Sequence, residues 1–135
     1  MEVLTMCGYR CDLCKAFTPN IKNKDEREFL SHMWMKYYGL DIPADRIYCD
    51  GCRCFSEDAK RIDMGCPVRK CVLEKGIEHC GDCSSYPCTT FEERRGLSLN
   101  EAKEKLGDKF CEDEFYSCLL AYDNMTRLNE YTKKK

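Results

Sequence analysis

The sequence predicts a small, mainly α-helical, irregular domain with little or no sheet. Its cysteine-rich loops are expected to be pinned by structural metal against two longer helices. Three observations predict this. Thirteen of the 135 residues are cysteine, and eleven of these fall in short ordered clusters. Apolar residues recur at helical spacing in two long segments, while no run alternates for long enough to make a convincing strand. Hydrophobic residues make up 43% of the chain, but the cysteines swell that figure, so the ordinary apolar core is thin and of the kind that metal supplements. The length implies one domain, residues 1–135, with a helical C-terminal part from about residue 98.

Residues 1–23 carry Cys7, Cys11 and Cys14; Gly8 permits close backbone approach, and Thr18-Pro19-Asn20 reads as a loop. Residues 25–38 read as a helix. Phe29, Leu30, Met33, Trp34, Tyr37 and Tyr38 recur at helical spacing, Asp25, Glu26 and Glu28 load the first turn, and Gly39 is placed to terminate it with Leu40 folding back. Such an aromatic stripe could stack bases, but its spacing is that of a core face. Residues 40–65 read as irregular, with turns at Asp41-Ile42-Pro43 and Cys49-Asp50-Gly51-Cys52. From Cys66 to Gly76 a short capped helix is expected, with Cys66 at the N-cap, Pro67 at the first position and Gly76 just past the end. Cys80-Gly81-Asp82-Cys83 is another knuckle-like turn, and Pro87 starts a short helix to about Arg94. Ser98-Leu99-Asn100-Glu101 is a capping box ahead of a helix ending near Gly107. A last helix is expected from about Lys109 to Tyr131. Cys111, Phe115, Cys118, Leu119, Tyr122 and Met125 line one face of it, so Cys111 and Cys118 read as buried core thiols. Lys133-Lys134-Lys135 reads as a frayed tail.

Cys11/Cys14, Cys49/Cys52 and Cys80/Cys83 are C-x2-C pairs, a spacing that lets a tight turn aim two sulfurs at one tetrahedral centre. With Cys7, Cys54, Cys66, Cys71 and Cys88 they supply eleven thiols, and His79 is a candidate twelfth ligand. Zinc takes four, so two or three ions are expected. The favoured grouping joins Cys66/Cys71 to Cys80/Cys83 across a short loop and Cys11/Cys14 to Cys49/Cys52 across the aromatic helix. Cys7, Cys54 and Cys88 then serve a third site or support the others; a cross-braced arrangement is the alternative. An iron–sulfur cluster is the alternative cofactor, since thiolates alone suit it as well. Cys7-x3-Cys11-x2-Cys14 has the spacing of radical S-adenosylmethionine enzymes, but those need a large barrel that 135 residues do not supply. Disulfides are disfavoured: no basic segment followed by an apolar stretch precedes Cys7, so a cytoplasmic location is expected, where C-x2-C reads as a metal site.

The motifs Cys7-Gly8-x2-Cys11-x2-Cys14, Cys49-Asp50-Gly51-Cys52 and Cys66-x-Val68-Arg69-x-Cys71, with the run from Lys75 to Cys88, resemble an uncharacterised family of small prokaryotic cysteine-rich proteins, domain of unknown function 3795. The resemblance covers about residues 7 to 95. It implies a cytoplasmic bacterial or archaeal protein that binds zinc and has no assigned activity. Its matching positions are Cys7, Cys11, Cys14, Cys49, Cys52, Cys66, Cys71, Cys80, Cys83 and Cys88, with Cys54, Cys111 and Cys118 outside the pattern.

The function expected is a zinc-stabilised, non-catalytic interaction module. The alternatives are an iron–sulfur redox or electron-transfer protein and a small zinc hydrolase with an open metal position. The cysteines are numerous enough to close every site, and the two histidines, His32 and His79, have no evident acid–base partners. A protein partner is expected. The formal charge is −2 and becomes about five units more negative once thiolates bind divalent ions, which disfavours nucleic acid. Arg53, Lys60, Arg61, Arg69, Lys70, Arg94 and Arg95 could clamp single strands, but they are interleaved with Glu57, Asp58, Asp63, Glu92 and Glu93 and read as a solvated surface. No apolar run approaches a membrane span.

Overall fold

The computed structural model describes residues 3–133, and seven α-helices with intervening 3-10 turns form there. Among the described residues the extended pairings are two isolated bridges, Leu4 with Arg10 and Phe17 with Cys49. The mainly helical expectation holds.

Helix α2, Arg27–Tyr38, forms where the apolar stripe lies, burying Leu30, Met33, Trp34 and Tyr37. It ends as its sequence predicts. Gly39 takes a left-handed φ of 65°, and the N–H groups of Gly39 and Leu40 return to the carbonyls of Met35 and Trp34, each at 3.1 Å. The stripe is narrower than expected, since Phe29 is 36% exposed. Helix α3, Pro67–Lys75, has Cys66 at its N-cap and Gly76 in the left-handed position, with Val68 and Val72 stacked one turn apart inside. Helix α5, Leu99–Leu106, carries the capping box in full: the Glu101 N–H donates to the Ser98 hydroxyl at 3.3 Å, and the Ser98 N–H to the Glu101 carboxylate at 3.0 Å.

Three expectations are corrected. Thr18-Pro19-Asn20 is not a loop but the first turn of α1, Thr18–Asn23, because proline's fixed φ suits the start of a helix, where its missing N–H has no intrahelical role. The helix after Pro87 is α4, Thr89–Glu92. It starts later and ends sooner than expected, because Cys88 is extended (φ −118°, ψ 172°) and serves as its N-cap. The long final helix is broken into α6, Glu112–Ser117, a 3-10 turn over Leu119–Tyr122, and α7, Asn124–Lys133.

The cause of this last break is tertiary. Cys118 and Asp123 leave the helical region, which frees the Ala121 carbonyl to accept the Arg10 N–H at 2.9 Å. Periodicity cannot reveal a break made by a partner more than a hundred residues away. Cys111 consequently lies outside α6 as its exposed N-cap rather than in the core, while Cys118 is 3% exposed, as a core thiol should be. Residues 134 and 135 of the expected tail lie outside the described residues.

Two apolar cores result. One packs α2 against α5, α6 and the 119–122 turn, around Trp34, Tyr37, Phe115, Leu119 and Tyr122. The other joins Met6 and Cys7 to Val68 and Val72 of α3, Phe91 of α4 and Leu128 of α7. At Gly8, where φ is +95°, a Cβ would stand 2.8 Å from the Leu128 side chain, so only glycine lets the N-terminal loop lie on α7. Among the described residues no helix is long and apolar enough to cross a membrane.

Candidate metal–thiolate site

Two of the C-x2-C pairs close in the same way. Cys11–Leu13 and Cys80–Asp82 are 3-10 turns in which the second cysteine's N–H donates to the first one's carbonyl, at 3.0 Å in both. The Asn20 amide braces the first turn by donating to the carbonyls of Cys11, Asp12 and Cys14 at 3.3, 3.0 and 2.8 Å. The third pair is shaped differently. Asp50 accepts the Thr18 hydroxyl at 2.8 Å and the Lys60 N–H at 2.9 Å, and the turn closes later, from the Cys54 N–H to the Gly51 carbonyl at 3.2 Å. Gly51 has φ +93°, and a Cβ there would stand 3.2 Å from the Phe17 ring and 3.6 Å from the Cys11 sulfur, so glycine is what lets this loop close over the first.

These turns bring Cys7, Cys11, Cys14, Cys49, Cys52 and Cys66 to the wall of one cavity of about 350 Å³. Tyr9, Trp34, Tyr38 and Tyr122 stand on the same wall, together with four arginines and Asp63. The Tyr122 hydroxyl accepts the Trp34 indole N–H at 3.1 Å and stands 3.0 Å from the Cys14 sulfur. The Met6 N–H donates to the Cys52 sulfur at 3.4 Å, and the Thr5 hydroxyl lies 3.4 Å from that of Cys7. Burial pushes the Cys7 thiol up to about 11 and raises Cys11 further, Cys14 and Cys52 rising for the same first cause. Neighbouring thiols add to this: Cys11 is raised by Cys14, Cys52, Cys49 and Cys7, in that order.

The remaining four expected ligands do not line this cavity. The Lys75 ammonium donates to the Cys83 sulfur at 3.0 Å and holds that thiol below its ordinary value, with the Ser85 N–H assisting at 3.4 Å. Cys71 and Cys88 act on Lys75 as well, and Cys71, Cys83 and Cys88 all act on Cys80, whose thiol burial pushes up to about 12. Cys7 acts on Cys80 too, so the two groups adjoin. Cys66 lines the cavity with Cys7 and Cys52, and Cys71 does not; Cys71 and Cys88 are both electrostatic neighbours of Cys80.

His79 is buried, but its Nδ1 accepts the Gly81 N–H at 3.0 Å and its Nε2 lies 3.9 Å from Asp82, so it caps the 80–82 turn. His32 is exposed on α2. Three of the arginines read as solvated surface, Arg61, Arg69 and Arg94, stand half-buried on the cavity wall. Sequence reasoning placed Tyr122 on a core face and Lys75 at the start of a motif run but gave neither a role beside the thiols, where Tyr122 meets Cys14 and Lys75 meets Cys83. As the side chains stand, no group of three or more His, Cys, Asp or Glu among the described residues is arranged to hold a metal ion. The donor set nevertheless fits metal in its chemistry: ten thiols, each group with a cation at hand, and no competing disulfide.

A small helical fold with its cysteines sorted into two adjoining groups defines a cysteine-cluster protein. The chain belongs to the family described as Protein of unknown function (DUF3795), which matches residues 3–93, a span that takes in all ten grouped cysteines and ends before α5. No curated protein and no solved structure matches it.

Proposed function

We propose that this chain is a metal–thiolate protein in which zinc fixes the cysteine-bearing loops, and that it acts as a non-catalytic module binding a protein partner. One observation supports the reading above others. The ten cysteines singled out by their motifs sort into a group of six and a group of four, drawn from segments far apart in sequence, while Cys111 is exposed and Cys118 lies in the apolar core. Thiols brought together from distant loops with no disulfide among them suit metal ligation. Cys71, Cys80, Cys83 and Cys88 are the four that zinc takes, and with all positions filled by sulfur no water is activated. Zinc content and X-ray absorption test this on protein from metal-replete cells. At least one zinc per chain with four sulfur neighbours is expected. Less than about half an equivalent of any metal in fully reduced protein would overturn it, and a zinc with three protein ligands and an oxygen would favour the hydrolase instead.

A further inference from the structure

We propose that the six-thiol cavity binds a polynuclear iron–sulfur cluster rather than a single zinc ion, with Cys11, Cys14, Cys49 and Cys52 as its ligands and Arg61 as its charge partner. The inference rests on the metal–thiolate reading above and assigns a second, different metal to the larger group.

Size is the first reason. Four thiolates on one zinc, at Zn–S of about 2.3 Å, stand about 3.8 Å apart and leave no space between them. Here six thiols surround a cavity of about 350 Å³, roughly ten times a water molecule's share of liquid volume. Thiols held apart around a void suit a core of several irons and sulfides that reaches each of them. The four named ligands are the two C-x2-C pairs among the six wall thiols, carried on two separate loops that meet where the Gly51 backbone faces the Cys11 sulfur.

Charge is the second reason. A cluster with four thiolates is an anion in a poorly hydrated place, where an unpaired charge is costly. The wall carries Arg10, Arg61, Arg69 and Arg94 against one carboxylate, Asp63; Arg10 is paired with Asp12 and Arg94 with Asp63. Arg69 donates to the Cys52 carbonyl at 2.9 Å and lies over the Phe55 ring. Arg61 donates one N–H to the Cys54 carbonyl at 3.2 Å, yet its Nε is buried with no hydrogen-bond partner. A buried donor left unmatched in a native fold calls for an acceptor, and cluster sulfur is one. The Tyr122 hydroxyl beside Cys14 is placed to donate to a ligand sulfur, a contact that raises a cluster's reduction potential. Assembly would pass the four thiol protons to solvent as ferrous and ferric iron and sulfide enter, the mixed valence of the core being supplied by the iron itself.

Anaerobic reconstitution of the full chain with ferrous and ferric iron, sulfide and a thiol reductant tests this, read by bound iron, acid-labile sulfide and visible absorption. Iron and sulfide in equal amounts are expected. Cys11→Ser and Cys52→Ser should each lose both and keep zinc; Cys83→Ser should do the reverse. Arg61→Gln, which leaves every thiol in place, should retain the cluster and lower its reduction potential, because a positive charge favouring the reduced form is gone. Iron without sulfide, or a cluster that survives both Cys11→Ser and Cys52→Ser, would overturn the assignment, and an unchanged potential would remove Arg61 from it. Zinc in both groups with no sulfide would sink the cluster and leave the metal–thiolate reading standing, whereas a chain that takes no metal loses both.

Discussion

Asn124→Ala should be among the most damaging single substitutions in the chain, although the residue touches no cysteine sulfur. Asn124 is fully buried at the start of α7. Its amide donates to the carbonyls of Cys7 at 2.9 Å and Arg94 at 3.1 Å, and its Oδ1 accepts the Gly96 N–H at 3.0 Å. The Arg94 carbonyl keeps the Tyr9 hydroxyl at 2.7 Å, so truncation strips this partner chiefly from the Cys7 carbonyl and the Gly96 N–H. A buried polar group left unmatched costs about 1–3 kcal/mol, which puts the pair near 4 kcal/mol. Unfolding entropy of about 2.1 cal/mol/K per residue makes each kcal/mol worth roughly 3.5 °C in a chain this long, so Tm should fall by about 14 °C. Urea titration and thermal melts of metal-loaded, reduced protein measure this. Hydrogen exchange gives a local readout, with the Gly96 amide losing its protection. A loss below about 1 kcal/mol would refute the claim that Asn124 pins the N-terminal loop to the C-terminal segment.

Other outcomes follow from the same geometry. Glu101→Gln breaks both the Arg95 pair (2.6 Å) and the charged half of the capping box, and should cost about 1 kcal/mol by thermal melt. The Arg95 guanidinium holds Glu101 near about 2, below its ordinary 4.5, so the wild-type advantage is complete above pH 4.5 and fades as pH falls towards 2; a gap between the two proteins that is unchanged down to pH 2 would contradict it. Cys111→Ala should change stability by less than about 0.5 kcal/mol, and Cys118→Ala should cost about 1–2 kcal/mol, both at unchanged metal content. A metal equivalent lost from either would make that thiol a ligand. Chelation should strip hydrogen-exchange protection from the loops around residues 7–17, 49–66 and 80–88 while sparing α2, whose core is built of Leu30, Met33, Trp34 and Tyr37. Equal loss in α2 would show a single cooperative unit.

Much of this was legible wherever the signal is local. The ends of α2, α3 and α5 are written in Gly39, Gly76 and the Ser98/Glu101 box, because a cap is decided by residues a few positions apart. The tight turns at Cys11/Cys14 and Cys80/Cys83 were legible for the same reason, each motif being short. Which thiols line the cavity was not: Cys66 does and Cys71 does not, though they are close along the chain. The break at 118–123 was equally hidden, since the apolar spacing from Phe115 to Met125 continues through it and only Arg10 and Asn124 reveal why the helix stops. The cavity arginines were misjudged because a charged residue beside a carboxylate in sequence looks solvated whether or not it lines a void.

The family match ends at residue 93, yet the candidate site is completed from beyond it. Tyr122 forms part of the cavity wall and contacts Cys14. The Ala121 carbonyl takes the Arg10 N–H, and Arg127 donates to the Gly8 carbonyl at 2.6 Å and to that of Leu120 at 2.8 Å. Tyr131 lies edge-on to His79, with ring centres 4.5 Å apart, and donates to Asp82 at 2.7 Å, bracing the 80–82 turn. Each contact either satisfies a polar group of a cysteine-bearing loop or covers its apolar side. Without α7 and the preceding turn the carbonyls of Cys7 and Gly8 would need other donors. The ten grouped cysteines therefore belong to one part of the sequence, while several of the contacts that hold their loops in place come from another. Sites of this construction can be tuned, loosened or tightened from residues 119–131 without altering a single thiol.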